Sequence, residues 1–156
     1  CIRDSTHTAL PCEQLIDGRR IAVVVDEEHE HTPGQPHAFL WIFDVTDTNN
    51  IHALSTFYVR ETESPWSTCK GRFGAHQFRE KIDSTLIYIA WFSGGLRVVD
   101  IADPFLPKEI AHYIPTPPDK FPSPQSNDVD VDENGVIYLL DRNRGLEILK
   151  LENSGL

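Results

Sequence analysis

Short apolar runs separated by polar turns dominate the chain, and no stretch has the period of an amphipathic helix. The clearest unit is residues 74–114, GAHQFREKIDSTLIYIAWFSGGLRVVDIADPFLPKEIAHYI. Its pattern predicts four short strands. AHQFRE comes first, and TLIYIAW follows a polar turn. LRVVDI is next, and KEIAHYI closes the unit after the turn ADPFLP. Ser93-Gly94-Gly95 sits between two apolar runs, where a diglycine marks a tight hairpin turn.

The plan recurs on both sides of this unit. Upstream, RRIAVVVDEE matches TLIYIAWF and AFLWIFDVTD matches GLRVVDIAD, with Asp44-Val45 against Asp100-Ile101. IHALSTFYV then matches KEIAHYI, and a polar insertion, DEEHEHTPGQPH, separates the second and third runs. Downstream, SNDVDVDENGVIYLLDRNRGLEILKL matches through three strands, with turns at Glu133-Asn134-Gly135 and Asn143-Arg144-Gly145. The units span approximately residues 1–60, 74–115 and 126–152. Four short strands per unit, evenly spaced, predict an all-β fold of β-propeller blades. A β-sandwich is the other all-β architecture built from such strands.

The block GGLRVVDIADPFLPKEIAHYI resembles the LVIVD-repeat β-propellers, and AFLWIFDVTDTNNIHALSTFYV and RGLEILKL look like further copies. The resemblance covers nearly the whole chain and implies fold rather than activity, since propellers host many unrelated functions. About three blades, the last incomplete, do not close a ring of roughly four to eight. The chain contains no Met and opens on Cys1. Together these features lead us to expect the C-terminal half of a processed precursor, its ring completed by a partner, the N-terminal chain of that precursor.

Composition narrows the partners. The chain has 156 residues with 40% hydrophobic and 24% charged, ordinary for a globular protein. No apolar run approaches the roughly 18 residues that span a bilayer, so no membrane partner is expected. A formal net charge of −10 repels a phosphate backbone, so no nucleic acid is expected either. Three cysteines, Cys1, Cys12 and Cys69, do not make a disulfide framework. The compartment is left open, with the cytoplasm favoured.

Propeller topology gathers the candidate chemistry on one face. The starts of the first strands and the loops between second and third strands share that face, so His7, His76 and Asp128 are expected to ring the channel mouth. An N-terminal cysteine carries a thiol and an amine with ordinary pKa values of about 8.5 and about 8. The amine can take the thiol proton, which is the logic of self-processed N-terminal nucleophiles. The expected function is therefore a self-cleaved amide hydrolase acting on a small-molecule amide, with Cys1 as nucleophile and no cofactor. His7, His76 and Asn127 are its candidate auxiliary groups, and Asn127 or His76 is placed to donate to an oxyanion. Trp91 and Phe92 would wall the pocket, and Arg142 and Arg144 would clamp a substrate carboxylate. Two alternatives stand beside it. One is a non-catalytic propeller binding a protein or small ligand on this face. The other is a metal-dependent enzyme, on His7, His76 and Asp128 or on the loop residues His29, His31 and His37.

Overall fold

The computed structural model describes residues 5–30, 34 and 36–152. Among these the chain forms eleven β-strands, one short 3-10 turn at Glu61–Glu63, and no α-helix. The first sheet runs in the order β1 (Ser5–Pro11), β2 (Ile21–Glu27), β3 (Leu40–Asp44) and β4 (His52–Phe57). The second repeats that order with β5 (Gln77–Phe78), β6 (Leu86–Trp91), β7 (Gly95–Asp100) and β8 (Lys108–Tyr113). The third holds β9 (Ser126–Val131), β10 (Val136–Asp141) and β11 (Gly145–Lys150). Each sheet is an open antiparallel meander of sequential strands. No helix among the described residues is long and apolar enough to cross a membrane.

Burial follows from the way the sheets stack. The first sheet buries Ile21, Val23, Val25, Leu40 and Ile42 in one cluster with Phe78, Ile87, Ile89 and Val99 of the second. The second sheet then offers Ala90, Leu96 and Val98 to Val129, Val131, Ile137 and Leu139 of the third. A sheet covered on both faces needs no polar alternation. That explains why every residue of β7 except Asp100 is buried. The outer sheets keep one less covered face each. Trp41 and Phe43 alternate with the buried Leu40 and Ile42 and are half-buried on the opposite face. On the third sheet Leu140, Leu146 and Ile148 remain 47%, 59% and 64% exposed.

The hairpin turns bring one end of every sheet together. The β1–β2 pairing sets Ser5 opposite Glu27, so the start of β1 and the end of β2 share that end. Phe92, just past β6, bridges to Ser126 at the start of β9. The amide of Arg142, at the β10–β11 turn, donates to the Gln125 carbonyl. Gly95 closes the β6–β7 turn at φ 78°, and a Cβ there would collide with the Tyr113 carbonyl oxygen. Only glycine suits that position. The first strands lie side by side, with β5 touching both β1 and β9.

Candidate functional site

The site lies where the three first strands meet the end of β2. His7 is on β1, His76 immediately precedes β5, Asn127 is on β9, and Glu27 is the last residue of β2. The Nε2 atom of His7 is 3.9 Å from Oε2 of Glu27, and Nε2 of His76 is 3.5 Å from Oε1. The two imidazole rings are 4.7 Å apart. His29 brings a third imidazole, its Nε2 3.9 Å from Glu27 Oε2, on a half-exposed side chain. Arg72 donates from Nη1 to Glu27 Oε1 at 2.7 Å and to the Glu28 carbonyl at 3.1 Å.

The other ring nitrogens are already engaged. His76 Nδ1 makes a short hydrogen bond to the backbone carbonyl of Asn127. A carbonyl only accepts, so Nδ1 carries the proton, and in the neutral ring Nε2 presents a lone pair. Burial holds His76 below its ordinary pKa, aided by the charges of His7 and Arg142 and opposed by the Asn127 carbonyl and Glu27. The ring is therefore neutral at physiological pH. His7 Nδ1 lies 3.0 Å from Oε1 of Gln77. That oxygen also accepts from the Thr8 hydroxyl at 2.6 Å, while Gln77 Nε2 donates to Glu80 at 3.3 Å, which fixes the amide's sense. His7 Nδ1 also lies 2.9 Å from Thr8 Oγ1, so with either partner Nε2 is the ring nitrogen that faces Glu27. Burial pushes the Glu27 carboxyl up, but the Arg72 hydrogen bond and the charges of His76, His29 and Arg72 outweigh it and hold it below its usual value.

Two imidazole nitrogens and a carboxylate thus converge, with His7, Glu27 and His76 each offering one atom within 4.8 Å of the others. Donor atoms around a tetrahedral zinc ion, each about 2.0–2.1 Å from it, are separated by about 3.3 Å. The three atoms stand somewhat wider than that, and binding would draw them together. Each imidazole also has the outer hydrogen bond that orients metal-binding histidines, one to a side-chain amide and one to a backbone carbonyl.

The remaining candidates fall in several places. Phe92 is fully buried beside the centre, its ring 5.0 Å from that of His76, with the Arg72 and Arg142 guanidiniums 4.0 and 5.6 Å from its centroid. Trp91 is also fully buried, edge-on to Phe57, and its Nε1 has no partner. Asn127 contributes its backbone carbonyl, and its Oδ1 is buried without a partner. Asp128 is not brought into the centre; it is exposed and lines a separate groove with Arg79, Glu80 and Lys81. Arg144 is tied to Glu147 at 2.6 Å. Cys1, which carries the nucleophile expectation, and His31 lie outside the described residues. Sequence reasoning missed Glu27, Gln77 and the anchoring role of Arg72. The signal for Glu27 was the run Asp26-Glu27-Glu28, three acids closing an apolar strand.

His37 has another role. Its Nδ1 and Nε2 lie 2.9 Å from Glu28 Oε2 and Glu61 Oε1, and only an imidazolium donates to both. Burial pulls its pKa down, but the two carboxylates outweigh burial and raise it above 6.5. A pKa raised on folding adds stability that is complete below the unfolded value and is lost as pH rises through the folded one. Urea unfolding from pH 6 to 9 should therefore show stability falling more steeply for the native chain than for His37→Gln. Parallel profiles would remove this bridge from the account.

No protein-family model and no curated protein matches the chain.

Proposed function

We propose that the chain supplies blades of a β-propeller whose channel mouth holds a divalent transition-metal ion on His7, Glu27 and His76, for metal-assisted hydrolysis. The propeller reading is supported by three meander sheets stacked face on face with their first strands adjacent. The apolar surface left at Leu140, Leu146 and Ile148 calls for a further sheet. Such a sheet belongs to the rest of the ring.

One observation carries the metal reading: two imidazoles, each held through Nδ1, turn their Nε2 atoms toward one carboxylate. Nitrogen and carboxylate oxygen atoms so arranged need a proton or a cation between them. Arg72 supplies one donor, on Oε1, and leaves Oε2 facing His7 and His29. Three protein ligands leave a coordination position open, the mark of a catalytic rather than a structural site. A metal bound there would supply Lewis acidity and bring the pKa of its water to about 7. Arg72 keeps the Glu27 carboxylate in place. His29, half-exposed beside it, would be placed to pass a proton between the site and solvent.

Calorimetric titration with Zn²⁺ at pH 7.5 tests this reading. One ion per chain should bind, and Glu27→Gln should abolish the heat. Absence of binding to the native chain, or equal binding to the variant, would reduce the cluster to an ion pair.

A further inference from the structure

We propose that Arg142 makes this centre selective for a small ligand bearing a carboxylate, which its guanidinium grips while the reacting group faces His7, Glu27 and His76. The inference rests on the metal reading for its second half and on Arg142 alone for its first.

The Arg142 backbone is set firmly. Asp141, 1% exposed, accepts from the amides of Gln125, Asn143 and Arg144 and from the Ser126 hydroxyl. That locks the turn carrying Arg142, and the Arg142 amide adds its bond to the Gln125 carbonyl. The guanidinium carbon lies over the Phe92 ring, 5.6 Å from its centroid and within cation–π range, and that ring also contacts His76. A cation–π contact uses no N–H group, so the guanidinium's donors remain available.

Those donors are uncommitted. Among the described residues, the Arg142 side chain makes no hydrogen bond and no ion pair, although the chain has 24 acidic residues. Its neighbours of the same type are engaged: Arg72 with Glu27, Arg79 with Asp83, Arg97 with Glu109 and Arg144 with Glu147. Burial and the charge of Arg72 act to lower the Arg142 pKa, and the charge of Glu27 opposes them. A bound anion would relieve the repulsion between the two guanidiniums.

The fork of N–H groups fits a carboxylate bidentately. Phosphate offers similar oxygens, but it brings a second negative charge beside Glu27, in a chain already at −10. A monoanion therefore suits the position better.

The test uses propionate, its neutral isostere propionamide, and inorganic phosphate, each titrated into the native chain with and without Zn²⁺ and followed by NMR. Zinc occupancy is measured separately for every variant. Propionate should bind at least about 10-fold more tightly than propionamide, the scale of a charge-assisted pair. Arg142→Gln should lose about that factor, and Arg144→Gln should behave as the native chain. Propionate binding that is unchanged in Arg142→Gln overturns the proposal, as does tighter binding of phosphate than of propionate. If the native chain binds no zinc, the metal reading fails, and the Arg142 comparison without zinc still decides the anion site.

Discussion

Replacing His76 by alanine is expected to weaken Zn²⁺ binding by roughly 100-fold or more, because one of three protein ligands disappears. His76 is 7% exposed, and its ring is held between the Asn127 carbonyl and Phe92. Truncation therefore leaves a small cavity, and some stability will be lost as well. Two further variants separate the effects. His76→Gln keeps most of the volume and can still reach the Asn127 carbonyl, but it removes the imidazole lone pair. It should lose zinc as fully as alanine does while losing less stability. Gln77→Leu leaves all three proposed ligands in place but removes the amide beside His7 Nδ1, together with its bonds to Thr8 and Glu80. It should weaken zinc by about 10–100-fold, the usual cost of losing such an outer partner. If zinc binds the His76 variants and the native chain alike, His76 is a structural histidine.

Arg97→Ala is expected to be strongly destabilising, by about 3–5 kcal/mol. Arg97 is fully buried in the middle of β7. Its Nε donates to the Gly94 carbonyl at 2.9 Å, Nη2 to the Glu63 carbonyl at 3.1 Å, and Nη1 to Glu109 Oε2 at 3.2 Å. One side chain thus ties the β6–β7 turn and the Glu61–Glu63 segment to β8. Truncation strips the cation from Glu109 and opens a cavity in the sheet that is covered on both faces. Glu109→Gln keeps a hydrogen-bond acceptor on a side chain that is 25% exposed, so it should cost much less. For a chain of this size the Arg97→Ala loss corresponds to a fall in Tm of about 10 °C, readable by calorimetry. An unchanged Tm would show that the second sheet is not organised around Arg97.

Much of the fold was legible because strands and turns have local causes. The apolar runs IAVVVDE, LIYIAW and VIYLLD are strands, and the diglycine turn lies between β6 and β7. The pairing of His7 with His76 near one another was legible too, since both occupy the start of a first strand. What was not legible turns on single-residue register. Alignment put Asp128 at the third equivalent position, yet the Asn127 carbonyl reaches His76 and Asp128 is exposed. The β9–β10 pairing shifts register between Leu140 and Asp141, and a one-residue shift turns every side chain to the other face. Glu27 escaped for a related reason. Its place beside His7 depends on the β1–β2 register, which itself shifts between Thr6 and Thr8. Arg72 acts over 45 residues of chain, through its bond to Glu27, and no local pattern signals such a contact.

The central claim is that His7, Glu27 and His76 hold a metal ion, and anomalous diffraction tests it most directly. Crystals soaked in Zn²⁺ and measured on both sides of the zinc absorption edge should show one strong peak. The account places that peak about 2 Å from Nε2 of His7, Nε2 of His76 and a carboxylate oxygen of Glu27. A map with no peak there, and with the Glu27–Arg72 pair closed across the space, would contradict it.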